Sequence, residues 1–472
     1  MTDTEPTPNA AQTTRILSIL VVSATVMFLN ETILSVALAS IMETFAVTPA
    51  VVQWLTTAFM LTMAIIIPTT GYGLTRFTTR QVFLTATLLF VVGTALGALA
   101  PSFAVLVVAR IIQACGTAMI MPLLMTTAME LVPPDKRGQV MGIIAIVISV
   151  APALGPTLGG FILAQLSWHY LFWLMLPIII LAMLLGLKEL RNVGQPRRVP
   201  LDIVSVVLSA AAFGFLIYGL SSFAASLQSG SLTVSIVAIV VGFIALVVFV
   251  VWQIGLTARD RALLDMRPFR ERSFTLSILT IVCIMAVLLG TVTLIPIYLQ
   301  TTVGVSALVT GLTLMPGGLI QGLAAPFIGR IFDRVGPRPL LIPGAVLLVT
   351  AAVSFTFLRI DSPVWVIAVQ WIVFSVALAL MMTPLTTTAL ASVPKRFYGH
   401  GSAIMSTLQQ LAGAGGTAIL ITTMTIASDA RLAAGVGQAE ASAFGTEVAF
   451  IVGAIIAAAA LVSSLFVRRA EN

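Results

Sequence analysis

Long apolar runs alternate with short polar segments along almost the whole chain. Most runs contain about 20 residues, which is the length that a helix needs to cross the hydrocarbon core of a bilayer. Only a helix satisfies its own backbone polar groups in lipid, so each run is predicted to be helical. The pattern therefore predicts an all-α polytopic membrane protein with fourteen transmembrane helices. The runs lie at about 16–40, 51–72, 82–100, 103–128, 138–163, 168–187, 203–222, 232–255, 274–299, 306–328, 339–357, 364–390, 399–425 and 447–467.

Composition and charge support this class and give it an orientation. The chain is 59% hydrophobic and 9% charged, whereas about a quarter of the residues of soluble domains are charged. With a cytoplasmic N-terminus, 21 of the 24 Lys and Arg residues fall on the cytoplasmic side. The positive-inside rule therefore predicts that both termini are cytoplasmic. Topology explains the net charge of +7, so no nucleic-acid partner is predicted.

Two loops indicate an internal repeat. Residues 71–80 follow the second span and residues 329–338 follow the tenth, and both are short basic turns with Arg at matched offsets. Internal repeats with a site at their interface are typical of secondary transporters. The interpretation gives a six-helix bundle at 15–190, two inserted helices with their linkers at 191–258, and a second six-helix bundle at 259–467. The tails at 1–14 and 468–472 are assigned to the cytoplasm, the first as a disordered segment.

Glu31 and Arg110 are the charged residues that lie within spans rather than at their ends. A carboxylate in hydrocarbon costs roughly 3 kcal/mol on insertion scales, so such groups usually serve ion or substrate movement. Counted from the span ends, both residues lie about 10 Å from the outer edge, so they share a depth. One interpretation is proton coupling by Glu31 and Arg110. The alternative is an ion pair that only holds two helices together.

Polar and soft side chains within the spans are candidates for substrate contact. Methionine and aromatic walls suit varied apolar ligands because they repack easily. Packing between helices is the alternative for each of these residues. The candidates are Asn30, Gln53, Trp54, Gln113, Met119, Gln370, Gln409 and Gln410.

No pattern in the sequence points to an enzyme. The nucleotide-binding pattern Gly-x-x-x-x-Gly-Lys-Ser/Thr is missing, so ATP is not expected to drive transport. Cys115 and Cys283 both lie inside apolar runs, and His169 and His400 have no ligand-like spacing. Neither a metal site nor a cofactor is predicted.

The second basic loop resembles the loop signature of the major facilitator superfamily, Gly-x-x-x-Asp-Arg-x-Gly-x-Arg. The first loop carries Arg76 and Arg80 but has Thr75 in place of the acidic residue. The resemblance implies that these loops lock the cytoplasmic ends of helices and act in gating. The matching residues of the second loop are Gly329, Asp333, Arg334, Gly336 and Arg338.

Two further motifs resemble those of proton-coupled exporters in this superfamily. Arg110, Gln113 and Gly116 are similar to an Arg-x-x-Gln-Gly-x-Gly motif whose arginine is linked to proton transfer. The segment with Gly155, Pro156, Gly159 and Gly160 looks like the antiporter motif, and Gly413–Gly416 lies at the matching place in the second half. The family often has an Asp in the first span, where this chain has Asn30 followed by Glu31.

The order of these motifs over fourteen spans resembles the fourteen-span drug:proton antiporter family, and most closely its lincomycin-resistance-type exporters. The resemblance implies a monomeric secondary transporter in the bacterial cytoplasmic membrane. It would export amphiphilic drugs or antibiotics in exchange for protons by alternating access. Two alternatives remain: an exporter of one metabolite, lipid or peptide, and a transport-dead sensor or assembly partner.

Overall fold

The structure is a computed structural model that describes residues 9–190, 192, 200–228 and 231–468. These residues form helices joined by short connections, with no β-strand among them. The predictions for residues 1–8, Arg191, Arg197, Arg198 and 469–472 fall outside the described residues. The helices are α1 (Ala10–Phe45), α2 (Pro49–Val52), α3 (Trp54–Arg76), α4 (Thr79–Ala98), α5 (Phe103–Leu131), α6 (Arg137–Leu163), α7 (His169–Glu189), α8 (Ile203–Gln228), α9 (Thr233–Thr257), α10 (Arg272–Ile297), α11 (Ala307–Val335), α12 (Arg338–Ser354), α13 (Val364–Ala391), α14 (Tyr398–Ala433) and α15 (Gln438–Ser464).

The predicted all-α polytopic fold is confirmed. Thirteen helices within the described residues are long and apolar enough to cross a membrane. The remaining predicted span, at about 138–163, corresponds to α6, a 27-residue helix in which some side chains lie outside the described part. At the N-terminus α1 begins at Ala10, so part of the tail expected to be disordered is helical. Asn9 and Gln12 explain this start, because they form a reciprocal capping box.

Matching helices pack in matching ways in the two halves of the chain. In the first half α1 contacts α5, α6 and α7, while α4 packs on α5 and α7. In the second half α10 contacts α13, α14 and α15, while α12 packs on α13 and α15. This correspondence supports the repeat inferred from the two loops and gives two six-helix bundles.

Small residues allow the equivalent helices to approach closely. A Cβ at Gly155 in α6 would lie 2.2 Å from the hydroxyl oxygen of Thr32 in α1. A Cβ at Gly416 in α14 would lie 2.2 Å from the backbone oxygen of Ala286 in α10. Glycine at these positions therefore lets the backbone of α6 pack directly on a side chain of α1. It likewise lets the backbone of α14 pack directly on the backbone of α10.

The bundles meet chiefly through two helix pairs, α6 with α11 and α3 with α14, and less extensively through α5 with α14 and α6 with α13. The inserted helices α8 and α9 pack on each other, and α8 also packs on both α3 and α14. The inserted hairpin therefore covers one of the two junctions between the bundles. We call the end of the molecule that carries Arg76, Arg137, Arg267 and Arg334 the basic end.

Candidate functional site: a buried arginine and two basic-end junctions

Arg110 lies in the first third of α5 and is only 1% exposed. Its Nη1 donates hydrogen bonds to Oδ1 of Asn30 on α1, at 2.9 Å, and to Oε1 of Gln113, at 3.0 Å. Both acceptors are neutral amide oxygens and both residues are buried. The guanidinium is therefore coordinated within the membrane by amide dipoles.

Gln113 extends this network to a third helix. Its Nε2 donates to the hydroxyl of buried Thr94 on α4, at 2.9 Å. A Cβ at Gly93 would lie 2.7 Å from Gln113, and one at Gly116 would lie 2.4 Å from the backbone oxygen of Ala86. The two glycines bring α4 and α5 close enough for Gln113 to reach Thr94.

The remaining surroundings of Arg110 are apolar. Its guanidinium carbon lies 4.0 Å from the ring centroid of Phe59 on α3, a cation–π distance. Nε of Arg110 has no hydrogen-bond partner within the part of the chain that the structure describes. The arginine thus retains one unused donor inside the bundle.

Glu31 follows Asn30 on α1 and is half-buried. It lies at the level of Arg110, as the sequence predicted, and the two side chains attract each other electrostatically. Among the described residues, however, no carboxylate oxygen lies within 4.0 Å of the guanidinium. Successive side chains of a helix point about 100° apart, which is why Asn30 and not Glu31 contacts Arg110.

The antiporter-like segment of α6 packs against the turn of α1 that follows Glu31. Gly155 contacts Thr32, and a Cβ at Gly159 would lie 3.0 Å from Ile33. Gly160 has open space around it. Pro156 lies in α6, but its side chain is outside the described part of the structure.

The α6–α11 junction at the basic end is built around Asp333. Its carboxylate oxygens accept hydrogen bonds from the backbone N–H groups of Gly138, at 2.7 Å, and Gln139, at 2.9 Å. These N–H groups belong to the first turn of α6, where a helix favours negative charge. Gly329 lies against Gly138, because a Cβ there would be 2.0 Å from the Gly138 oxygen.

The α3–α14 junction has different chemistry at the equivalent place. The hydroxyl of Thr75 lies 3.3 Å from Nε2 of His400, and the backbone N–H of Asp265 donates to Nδ1 of His400 at 3.3 Å. His400 is buried. Sequence reasoning assigned no role to His400, since a single histidine at a span end carries no recognisable spacing.

The other basic-end candidates have simpler surroundings. Arg80 donates to the Leu187 oxygen at 2.6 Å, and Arg338 donates to the Val467 oxygen at 3.4 Å. Gly336 ends α11 with a φ of 79°, a left-handed conformation that favours glycine. Arg76 is half-buried and Arg334 is exposed.

The candidate substrate contacts do not form one cluster. Asn30 and Gln113 belong to the Arg110 network, whereas Gln53 and Trp54 are exposed. Gln370 bonds the Ser354 oxygen on α12, at 2.9 Å, and so joins two helices of one bundle. The candidates that remain half-buried are Met119, Gln409 and Gln410.

Comparison with known proteins places these features in a family. The family model of the Major Facilitator Superfamily matches residues 20–417. The chain therefore belongs to the major facilitator superfamily and is a multi-pass membrane transporter of that family.

Several of its relatives carry names connected with drug resistance. The lincomycin resistance protein LmrB of Listeria monocytogenes is 39% identical, and the match covers 94% of each chain. The protein of the same name from Bacillus subtilis is 34% identical, with 99% of each chain covered. Among solved structures, the human organic anion transporter MFSD10 superposes with a TM-score of 0.68 at 16% identity, over 95% of this chain and 100% of that one. The predicted resemblance to lincomycin-resistance-type exporters is confirmed.

Proposed function

We propose that the protein exports amphiphilic drugs across the bacterial cytoplasmic membrane in exchange for protons, by alternating access. In this proposal the basic end and both termini face the cytoplasm, in keeping with the positive-inside rule. The names of the LmrB relatives support an antibiotic-like substrate class. We expect a monomer to carry out the exchange.

The proposal rests chiefly on the neutral coordination of Arg110. A buried charge without a counter-ion is costly, and amide oxygens with a ring face offset that cost only in part. Glu31 is one residue from Asn30, in the same turn of α1, and Arg110 keeps an unused Nε donor. An ionised Glu31 would therefore be drawn toward Arg110, whereas a protonated Glu31 would not.

This arrangement gives a simple route to exchange. A proton and a cationic drug would compete for the Glu31 carboxylate, because each neutralises the same charge. Gln409, Gln410 and Met119 are half-buried and are the proposed polar and polarisable contacts for the rest of the drug. Binding of one ligand would then favour release of the other.

Helix α6 offers a connection between this site and the basic end. Near one end it contacts Thr32 and Ile33, directly after Glu31, through Gly155 and Gly159. At its other end Gly138 and Gln139 donate to Asp333. We propose that a shift of α1 on protonation of Glu31 displaces α6 and so weakens the α6–α11 junction.

A reconstituted transport assay tests the proposal. Purified protein in proteoliposomes is given a pH gradient, and uptake of a fluorescent cationic dye and of lincomycin is followed. Glu31→Gln should insert normally, but its pH-driven uptake should fall to background because the variant can neither exchange a proton nor pair with a cationic dye there. Glu43→Gln is the matched control, since Glu43 is an exposed carboxylate on the same helix.

Full pH-driven uptake by the Glu31→Gln protein would contradict the proposal. Uptake restricted to a single metabolite, lipid or peptide in a wider panel would favour a dedicated exporter. A wild-type protein that moves no compound and no proton would favour a sensor or assembly partner.

A further inference from the structure

A cavity of about 810 Å³ lies at the basic end, outside the Arg110 site. It is enclosed by the inserted hairpin α8–α9, by α14, and by the linker between α9 and α10. Its deep wall is apolar and buried, with Phe213, Phe249, Leu264 and Ile404 each exposed by 4% or less. The volume falls in the range of about 300–1,000 Å³ that is usual for small-molecule sites.

The mouth of the cavity faces the surroundings of the helix bundle. Ile254, on the last turns of α9, lines it and is 58% exposed. On a helix apolar enough to span a membrane, such an exposed side chain contacts lipid. A hydrocarbon chain can therefore reach this cavity from the bilayer.

The charges at the mouth leave one arginine available. Arg267 is held by Asp265, at 2.5 Å, and by Asp260, at 2.6 Å. The hydrogen bonds to Asp265, and then that to Asp260, raise the pKa of Arg267. Asp260, which lines the cavity, is thus paired with Arg267, and so is Asp265 beside it. Arg270 also lines the cavity, is exposed, and forms no hydrogen bond or ion pair with the described residues.

The surrounding segment is basic as a whole. Residues 259–272 contain five arginines against three acidic residues. Basic residues beside a membrane span attract anionic lipid headgroups, by about 1 kcal/mol each. An apolar cavity open to the bilayer, with an unpaired guanidinium at its rim, matches a phosphate attached to hydrocarbon chains.

We propose that this cavity binds one anionic phospholipid, with its phosphate on Arg270 and an acyl chain against Phe213, Phe249 and Ile404. The site is separate from the Arg110 network and does not depend on proton exchange. Its inner wall includes Ile404 and Thr407 of α14, the helix that also carries His400 at the α3–α14 junction. The lipid would therefore fasten the inserted hairpin to a helix that joins the two bundles.

The experiment compares phosphatidylglycerol with phosphatidylcholine on the purified full-length protein. Native mass spectrometry counts retained lipid, and thermal unfolding gives the shift that each lipid produces. Wild type should retain one phosphatidylglycerol in preference to phosphatidylcholine. Arg270→Gln should bind it about fivefold more weakly, which corresponds to about 1 kcal/mol for one arginine near the headgroup.

Two matched pairs of variants separate this site from general membrane electrostatics. Arg261→Gln removes an exposed arginine of the same linker that does not line the cavity. Ile254→Trp narrows the mouth, whereas Val251→Trp adds the same ring at a 64% exposed position outside the lining. The proposal expects Arg270→Gln and Ile254→Trp to retain less of the lipid than wild type does, and both controls to retain as much as wild type. Equal binding of the two lipids, equal loss in Arg261→Gln, or unchanged retention in Ile254→Trp would overturn it.

Discussion

At the α6–α11 junction a carboxylate, Asp333, accepts two backbone N–H groups, whereas at the α3–α14 junction Thr75 contacts the imidazole of His400. The two places are equivalent in the repeat. A charge-assisted hydrogen bond is roughly twice as strong as a neutral one, and the first junction has two of them. Of these two contacts, the one at the α6–α11 junction is therefore the stronger.

The backbones also approach differently at the two junctions. A Cβ at Gly329 would meet a backbone oxygen at 2.0 Å, whereas a Cβ at the equivalent Gly71 would meet the His400 ring at 3.0 Å. The α6–α11 contact has no room for a methyl group, but the α3–α14 contact has a side chain that can yield. The difference teaches that one repeat unit can build a rigid contact in one half and a compliant one in the other.

The largest effect is expected from a methyl group at the tighter junction. Gly329→Ala should destabilise the closed basic end by about 3 kcal/mol, because overpacking against backbone forces the helices apart. Gly71→Ala, its counterpart, should cost less than about 1 kcal/mol, since the His400 ring can shift. Thermal unfolding of both variants in detergent measures this, and equal losses would remove the distinction between the junctions.

The next effect concerns charge. Asp333→Asn should weaken closure by about 2 kcal/mol, roughly 30-fold in the closed-to-open ratio, while Thr75→Val should cost about 1 kcal/mol or less. Spin labels at the exposed ends of α3 and α11, Phe77→Cys and Val335→Cys, would report the opening as a longer distance. Cys115 and Cys283 are first replaced by alanine.

Asp135→Asn is the control for the Asp333 substitution, because Asp135 is an exposed acid just before α6. Its distance distribution should match that of wild type. A larger opening in Thr75→Val than in Asp333→Asn would reverse the ranking of the two junctions.

The smallest effect is expected at Asp202, a carboxylate at the start of α8. It shows how much helix capping alone contributes to stability away from the α6–α11 and α3–α14 junctions. Asp202 accepts hydrogen bonds from the backbone of Ser205, at 2.9 Å, and from Trp252, at 2.8 Å. Asp202→Ala should cost about 1 kcal/mol at most and leave transport unchanged. If it impaired transport as much as Asp333→Asn, simple helix capping would explain both results.

The contribution of Asp202 to the stability of the folded protein depends on pH in a definite direction. Desolvation raises the pKa of Asp202, but the hydrogen bonds from Ser205 and Trp252 outweigh it and hold the pKa below its ordinary value. The contribution is therefore complete above the unfolded pKa of about 3.9 and is lost as the pH falls through the folded value. Thermal stability of Asp202→Ala should differ from that of wild type by the same amount at pH 6 and pH 8.

Much of the architecture could be predicted from the sequence because membrane crossing imposes simple rules. Run length and the placement of basic residues define the spans, and the two similar loops reveal the repeat. The level of Glu31 and Arg110 also follows from counting residues at a fixed rise along each helix.

The partner of Arg110 could not be predicted in this way. Counting gives depth, but the rotation of α1 about its axis depends on how Gly155 and Gly159 seat against Thr32 and Ile33. Phe59 and Thr94 were missed because an aromatic or hydroxyl residue in an apolar run has no distinguishing pattern. His400 was missed for a related reason, although the substitution of Thr75 for the family's acidic residue was a signal that this junction differs.

The position of the inserted hairpin has a consequence for how the molecule would rock. Because α8 bridges α3 and α14, the covered side would act as the hinge between the two bundles. The uncovered α6–α11 side would be the one that opens. A compound dissolved in the membrane leaflet could then enter between the bundles from the α6–α11 side only. In transporters that share the repeat but lack the extra pair of helices, both sides would be open to such entry.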